Sequence, residues 1–249
     1  MQCSISATSQ EMGKRAAEKV AELIRETVRE KGKARLLVST GQSQFEFFEE
    51  ITAMDIPWES VEIFHLDEYI GLPITHPASF RKYLKERFID KIGPAQMHYI
   101  SGEGDIAAVI DEVTESIRKS PIDIGIIGIG ENGHIAFNDP PADFETKAAY
   151  HVVSLDERCR MQQVGEGWFG SLEEVPRQAI SATVPQILSC RTIVSIVPHK
   201  VKAEAVRNTL EAPADTNLTP ATALREHPRW YLHDVGAPGL CPQPLCHWY

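Results

Sequence analysis

The chain predicts an α/β fold, a Rossmann-like three-layer domain with a mostly parallel sheet and helices on both faces. Three observations predict it. Short β-branched runs alternate with amphipathic helical patterns almost throughout the sequence. The strand-like runs are nearly all apolar, as strands covered on both faces must be. Polar or glycine-bearing loops follow three of them, at the edge where an open α/β sheet binds its ligands.

The elements follow in order. Ser9 to Lys31 places Ala16, Val20, Leu23, Ile24 and Val28 on one stripe with charges elsewhere, which predicts a helix. A strand over Arg35–Ser39, a helix over Gln44–Ala53 and a strand over Val61–His65 come next. Pro77 to Ile89 reads as a helix, with Pro77 suited to its first turn. Ala107 to Lys119 is amphipathic and leads into an apolar strand, Ile122–Ile127. A strand over Thr192–Val197, a helix over Lys200–Leu210 and a short strand over Arg229–Leu232 complete the pattern. Neither a repeat nor a convincing linker interrupts it, so residues 1–249 read as a single domain.

Composition narrows the function classes. With 25 basic and 35 acidic side chains, the formal charge of −10 argues against a nucleic-acid partner. It still permits a phosphorylated metabolite, because a local nest of N–H groups with a cation or two can hold a phosphate. No membrane partner is expected: neither end carries a run able to span a bilayer, and the start lacks a signal peptide's basic and apolar segments. A cytoplasmic location follows as the default. The five cysteines are scattered, odd in number and without zinc spacing, so neither disulfides nor a metal are expected. Cys241 and Cys246, in a Pro-rich tail, read as ordinary thiols.

Three strand-to-loop junctions carry the candidate chemistry. Ser39-Thr40-Gly41-Gln42-Ser43 offers donors ahead of a helix and suits an anion, although Thr40 or Ser43 could equally be an N-cap. Asp67 and Glu68 are adjacent carboxylates at a strand end. One reads as a general base, or else one caps a turn while the other is solvated. The run Gly128 to Pro141, GIGENGHIAFNDPP, sets His134 among glycines, with Asn132 and Asp139 available to hold its ring. A lone loop histidine is more often a satisfied surface residue, but this setting favours proton transfer. The glycine-rich stretch Gln162 to Leu172 is either a mobile lid or a plain surface loop.

FHLDEYIGLPITHPASF and GIGENGHIAFNDPP, in this order and separation, resemble the glucosamine-6-phosphate deaminase family. VPRQAISATVPQIL and PHKVKAEAV extend the resemblance over nearly the whole chain. It implies an isomerising deaminase of amino sugar metabolism, classed among hydrolases, that turns glucosamine 6-phosphate and water into fructose 6-phosphate and ammonia. It implies no metal or organic cofactor, a phosphorylated amino-sugar substrate, and either a monomer or a homo-oligomer. Asp67 inherits the C2–C1 proton transfer, His134 the ring opening, and Asn132 and Asp139 the support of His134. Ser39, Gly41, Gln42 and Ser43 inherit the phosphate loop, and Lys200 falls where a phosphate-binding lysine is expected. Several positions depart from the family pattern. Asn132 stands where Asp is frequent, Asp139 replaces Glu, and Gln163 replaces a phosphate-binding Arg, leaving Arg158 or Arg160 as substitutes. Ala149 and His151 occupy positions where some members carry basic residues for activation by N-acetylglucosamine 6-phosphate, so no such activation is expected. The alternatives are a 6-phosphogluconolactonase-type hydrolase and a non-catalytic sugar-phosphate sensor.

Overall fold

The computed structural model describes residues 1–198 and 200–235. Cys241, Cys246 and the Pro-rich tail lie outside the described residues. A seven-stranded sheet forms the centre, with neighbouring strands all paired in parallel. In chain order its strands are β1 (Gln2–Ser6), β2 (Ala34–Val38), β3 (Val61–His65), β5 (Gln96–His98), β6 (Ile124–Ile127), β9 (Thr192–Val197) and β10 (Trp230–Val235). Across the sheet they run β1-β10-β9-β6-β2-β3-β5. A small antiparallel sheet sits beside its carboxyl edge, with β4 (Asp67–Tyr69), β8 (Gln178–Ala182) and β7 (Tyr150–Ser154) in that spatial order.

Alternation along each strand divides the core. Leu36, Val38, Ile63, Ile124, Ile126, Val194 and Ile196 face α1 (Ser9–Lys31), α2 (Phe45–Thr52) and α3 (Phe80–Arg87). Leu37, Phe64, Ile127, Ile193 and Val197 face the other way, against α4 (Ile106–Arg118), α6 (Val184–Leu188) and α7 (Ala203–Glu211). Period-two side-chain direction thus converts continuous apolar runs into two buried faces. A third apolar cluster, including Tyr69, Phe80, Phe137, Cys159 and Phe169, joins the small sheet to α5 (Glu157–Gly165).

The long first helix keeps the bounds its periodicity predicts. The Thr8 hydroxyl accepts from the Glu11 N–H, and Gly32 ends the helix at φ 75° with its N–H on the Val28 carbonyl. The third helix begins later than Pro77 because Ser79 is its N-cap. Glu68 sets that start by accepting from the N–H groups of Phe80 and Arg81. β1, β4, β5, β7 and β8 are additions to the sequence reading. Among the described residues no helix is long and apolar enough to cross a membrane.

Candidate active site

The sheet reverses its order between β2 and β6: chain progression runs outward through β3 and β5 on one side, and through β9 and β10 on the other. Loops leaving β2 and β6 at such a point diverge and leave a crevice. One pocket there is lined by Ser39 to Ser43 after β2, Asp67 after β3, Gly128, Gly130 and His134 after β6, and Lys202 after β9. Four neighbouring strands therefore deliver the polar residues that the sequence separates by more than a hundred positions.

Burial tells the two adjacent carboxylates apart. Glu68 accepts from the Ser79 hydroxyl at 3.0 Å and from the N–H groups of Tyr69, Phe80 and Arg81, and it pairs with the Arg81 guanidinium. It is the structural carboxylate. Asp67 is 6% exposed and lines the pocket. Burial, reinforced by the neighbouring Glu68 charge, raises its pKa to about 8. Neither carboxylate is the solvated one.

His134 is braced on one side. Its Nδ1 lies 2.6 Å from Asn132 Oδ1 and 3.3 Å from Asp139 Oδ1, while Asn132 Nδ2 donates to the same Asp139 oxygen at 3.1 Å. With Asn132 Oδ1 accepting, Nδ1 carries a proton and Nε2 is the atom left for exchange. Burial opposes charge on Asp139, but His134, Asn132 and the Asp156 N–H outweigh it and hold the carboxyl below its usual range. The shorter Asp139 still reaches the ring. Gly130 lies against the imidazole, where an added Cβ would fall 2.1 Å from His134 Cε1. Ala136, also on the pocket wall, sits at φ 52°, a left-handed conformation rare for a residue with a side chain.

The loop after β2 does not use its hydroxyls as caps. Gly41 precedes the following turn at φ 100°, and no side chain caps it. Ser39 Oγ is buried without a partner, which leaves a donor for a bound group. Lys202 is 6% exposed, carries no hydrogen bond among the described residues, and burial lowers its pKa. Gln163 lines the same pocket.

Two expected cations lie elsewhere. Arg158 and Lys200 are exposed and line an adjoining cavity of about 700 Å³, which shares Gln42, Gln162, Glu166 and Lys202 with the first. Arg160 is committed to the carbonyls of Leu172 and Val175. Sequence reasoning missed Lys202, two positions beyond Lys200 in one tight turn, where only the fold decides which ammonium faces inward. The stretch Gln162 to Leu172, read as either a lid or a surface loop, is partly helical: α5 covers its first residues, and Gln42 Nε2 donates to the Glu166 carbonyl at 2.6 Å. Among the described residues, His134, Asp139 and Cys159 form a group with metal-ligand atoms within 4.8 Å of one another. Burial and nearby Asp139 raise the Cys159 pKa, so its thiol stays protonated and His134 keeps its Asn132 contact.

Fold and site together define an α/β enzyme with a carboxylate and an imidazole, Asp67 and His134, facing a polar crevice at the sheet's switch point. The chain belongs to the family described as glucosamine-6-phosphate isomerases/6-phosphogluconolactonase, whose model matches residues 7–232. A glucosamine-6-phosphate deaminase of Streptococcus pneumoniae serotype 4 is 34% identical over 198 residues, 79% of this chain and 83% of that protein. The structure of a monomeric glucosamine-6-phosphate deaminase superposes with a TM-score of 0.87 at 29% identity, over 94% of this chain and 97% of the other. A 6-phosphogluconolactonase from Shewanella baltica shares the fold, with a TM-score of 0.76 at 21% identity over 94% and 97% of the two chains. These likenesses correct one expectation. Classing the chain as a hydrolase gives way, because the more similar proteins are named deaminases and the chemistry is an isomerising deamination.

Proposed function

We propose that the chain, acting as a single domain over residues 1–249, converts glucosamine 6-phosphate and water into fructose 6-phosphate and ammonia. The observation that carries this reading is the shared pocket of Asp67 and His134 beside the Ser39–Ser43 loop. The Ser39 hydroxyl, the backbone of Gly41 to Ser43 and the Lys202 ammonium receive the phosphate, whose negative charge keeps that buried amine protonated. The adjoining cavity gives the sugar room and puts Arg158 and Lys200 at its rim.

His134, protonated at Nε2, donates to the ring oxygen as the C1–O5 bond breaks and the O1 hydroxyl gives its proton to water, and O1 takes a proton back when the C2 proton leaves. Asn132 and Asp139 fix the ring, and the Asp139 carboxylate offsets its charge. Asp67 takes the proton from C2 and returns it to C1, which moves the double bond and leaves an imine at C2. Water adds there and ammonia leaves. One carboxylate reaching two adjacent carbons suffices, and Asp67 is a buried carboxylate lining this pocket without a salt-bridge partner among the described residues.

The test is a coupled assay of ammonia and fructose 6-phosphate from glucosamine 6-phosphate. Equal release of both by the wild type, with loss of about 10²–10⁴-fold in Asp67→Asn, is expected for an essential base. Hydrolysis of 6-phosphogluconolactone without ammonia release would instead identify the lactonase reading, and phosphosugar binding without turnover the sensor reading.

A further inference from the structure

We infer that a cavity at the amino edge of the central sheet, opposite Asp67, is a second binding site, for a small polyanion of the polyphosphate class. This cavity has a volume of about 450 Å³ and is lined by Lys31, Lys33, Arg35, Lys119 and Arg191, with His98, Glu62 and Asp123. Five cations thus face two carboxylates, on a chain whose formal charge is −10. The excess runs against the sign of the whole molecule.

Each carboxylate is already shared. Asp123 takes Lys31 and, at 3.7 Å, Arg191, and also accepts from the Arg35 N–H. Glu62 takes Arg35 at 2.8 Å, Lys33 at 3.2 Å and His98 at 2.9 Å. Lys119 has no carboxylate partner among the described residues. The floor is built and buried. Arg35 ties the carbonyls of Ser116, Ile117 and Ser120 at the end of α4, lies 4.5 Å from the Phe64 ring centre, and Phe64 stacks on His98 at 4.4 Å.

This internal pairing accounts for Arg35 and for the carboxylates. Two carboxylates shared among Lys31, Lys33, Arg35 and Arg191, with none for Lys119, leave about three positive charges in excess, and Lys33, Lys119 and Arg191 are exposed at the rim, a crowding that a multiply charged anion relieves. A single phosphate matches neither that charge nor that volume. The cations come from three separate places in the chain, residues 31–35, 119 and 191, so they surround a ligand of several phosphates.

The test is calorimetric titration of the full chain with inorganic tripolyphosphate, without divalent cations, at low and at moderate salt. The wild type is expected to bind one equivalent at this cavity, more weakly as salt rises, whatever the crevice takes up in addition. The Lys119→Gln/Arg191→Gln variant is expected to bind roughly tenfold more weakly, as the loss of two exposed ionic contacts implies, with an unchanged circular dichroism spectrum. Lys202→Met and Asp67→Asn are expected to bind as the wild type does, which separates this site from the crevice of the proposed reaction. No saturable binding at millimolar tripolyphosphate, or a loss as large in Lys202→Met as in the double variant, overturns the inference.

Discussion

At Asp67 the raised pKa of about 8 leaves roughly a tenth of the carboxyl ionised at pH 7 in the free enzyme. A base must be ionised to work, so the acid limb of kcat/KM is expected to rise through about pH 8. An acid limb near pH 4 would show that the reacting carboxyl is not raised by burial in this way. The same shift has a consequence for stability. The folded pKa lies above the unfolded value of 3.8, so Asp67's contribution is fully present below that value and is lost as pH rises toward 8. Asp67→Asn is therefore expected to raise Tm at pH 9 and change it little at pH 4. Gly130 offers an independent probe of His134. In Gly130→Ala the new methyl displaces the imidazole, so kcat is expected to fall by about a hundredfold, the scale set by misplacing a reacting group by an ångström. A wild-type kcat in that variant would show that the ring position is not critical.

At the scale of elements, the start of α3 shows what the sequence carries and what it hides. Ser79 and a carboxylate are recognisable helix-start residues, yet the carboxylate is Glu68, eleven positions earlier and on another strand. Local pattern rules see neighbours within a turn or two, so Pro77 was the natural choice of boundary. Glu68 with Arg81 is a buried ion pair, 0% and 9% exposed at the side chains. Without Glu68 the Arg81 guanidinium keeps only the half-exposed Glu103 at 2.8 Å, and the Ser79 hydroxyl and the N–H groups of Tyr69, Phe80 and Arg81 lose their buried acceptor. Glu68→Ala is expected to lose about 3–5 kcal/mol in urea denaturation, whereas Glu68→Leu combined with Arg81→Met is expected to recover part of it. A double variant no more stable than the single one would assign Glu68 to capping alone. The helix α5 was hidden for a related reason. Its last residue, Gly165, and Gly167 just beyond it read as loop, while the Asp156 side chain caps its start by accepting from the Cys159 N–H.

Across the whole molecule, the strongly periodic elements were legible because each is defined by its own spacing: α1, β3 and β9 have the bounds their patterns predict. The antiparallel β4-β8-β7 sheet was not, since β4 is only three residues long and pairs with a strand more than a hundred positions away. For the site, the glycine motif and the two strand-end loops were readable as chemistry. Their convergence came from strand order, and the choice of Lys202 over Lys200 came from the turn after β9.

The same packing bears on regulation. Ala149 is 2% exposed and gives its carbonyl to the Thr183 N–H. His151 places Nε2 3.2 Å from Asn138 Oδ1, and burial lowers its pKa despite the opposing Asp143 charge. A neutral imidazole and a buried methyl supply no cation for the phosphate of an activating sugar. Initial rates against glucosamine 6-phosphate are therefore expected to be hyperbolic, with the same half-saturation whether or not N-acetylglucosamine 6-phosphate is added. A sigmoidal curve that the acetylated sugar straightens would require a phosphate site built from other cations, and Lys147→Gln, which removes a nearby charge on the same segment, would then be the first variant to abolish it.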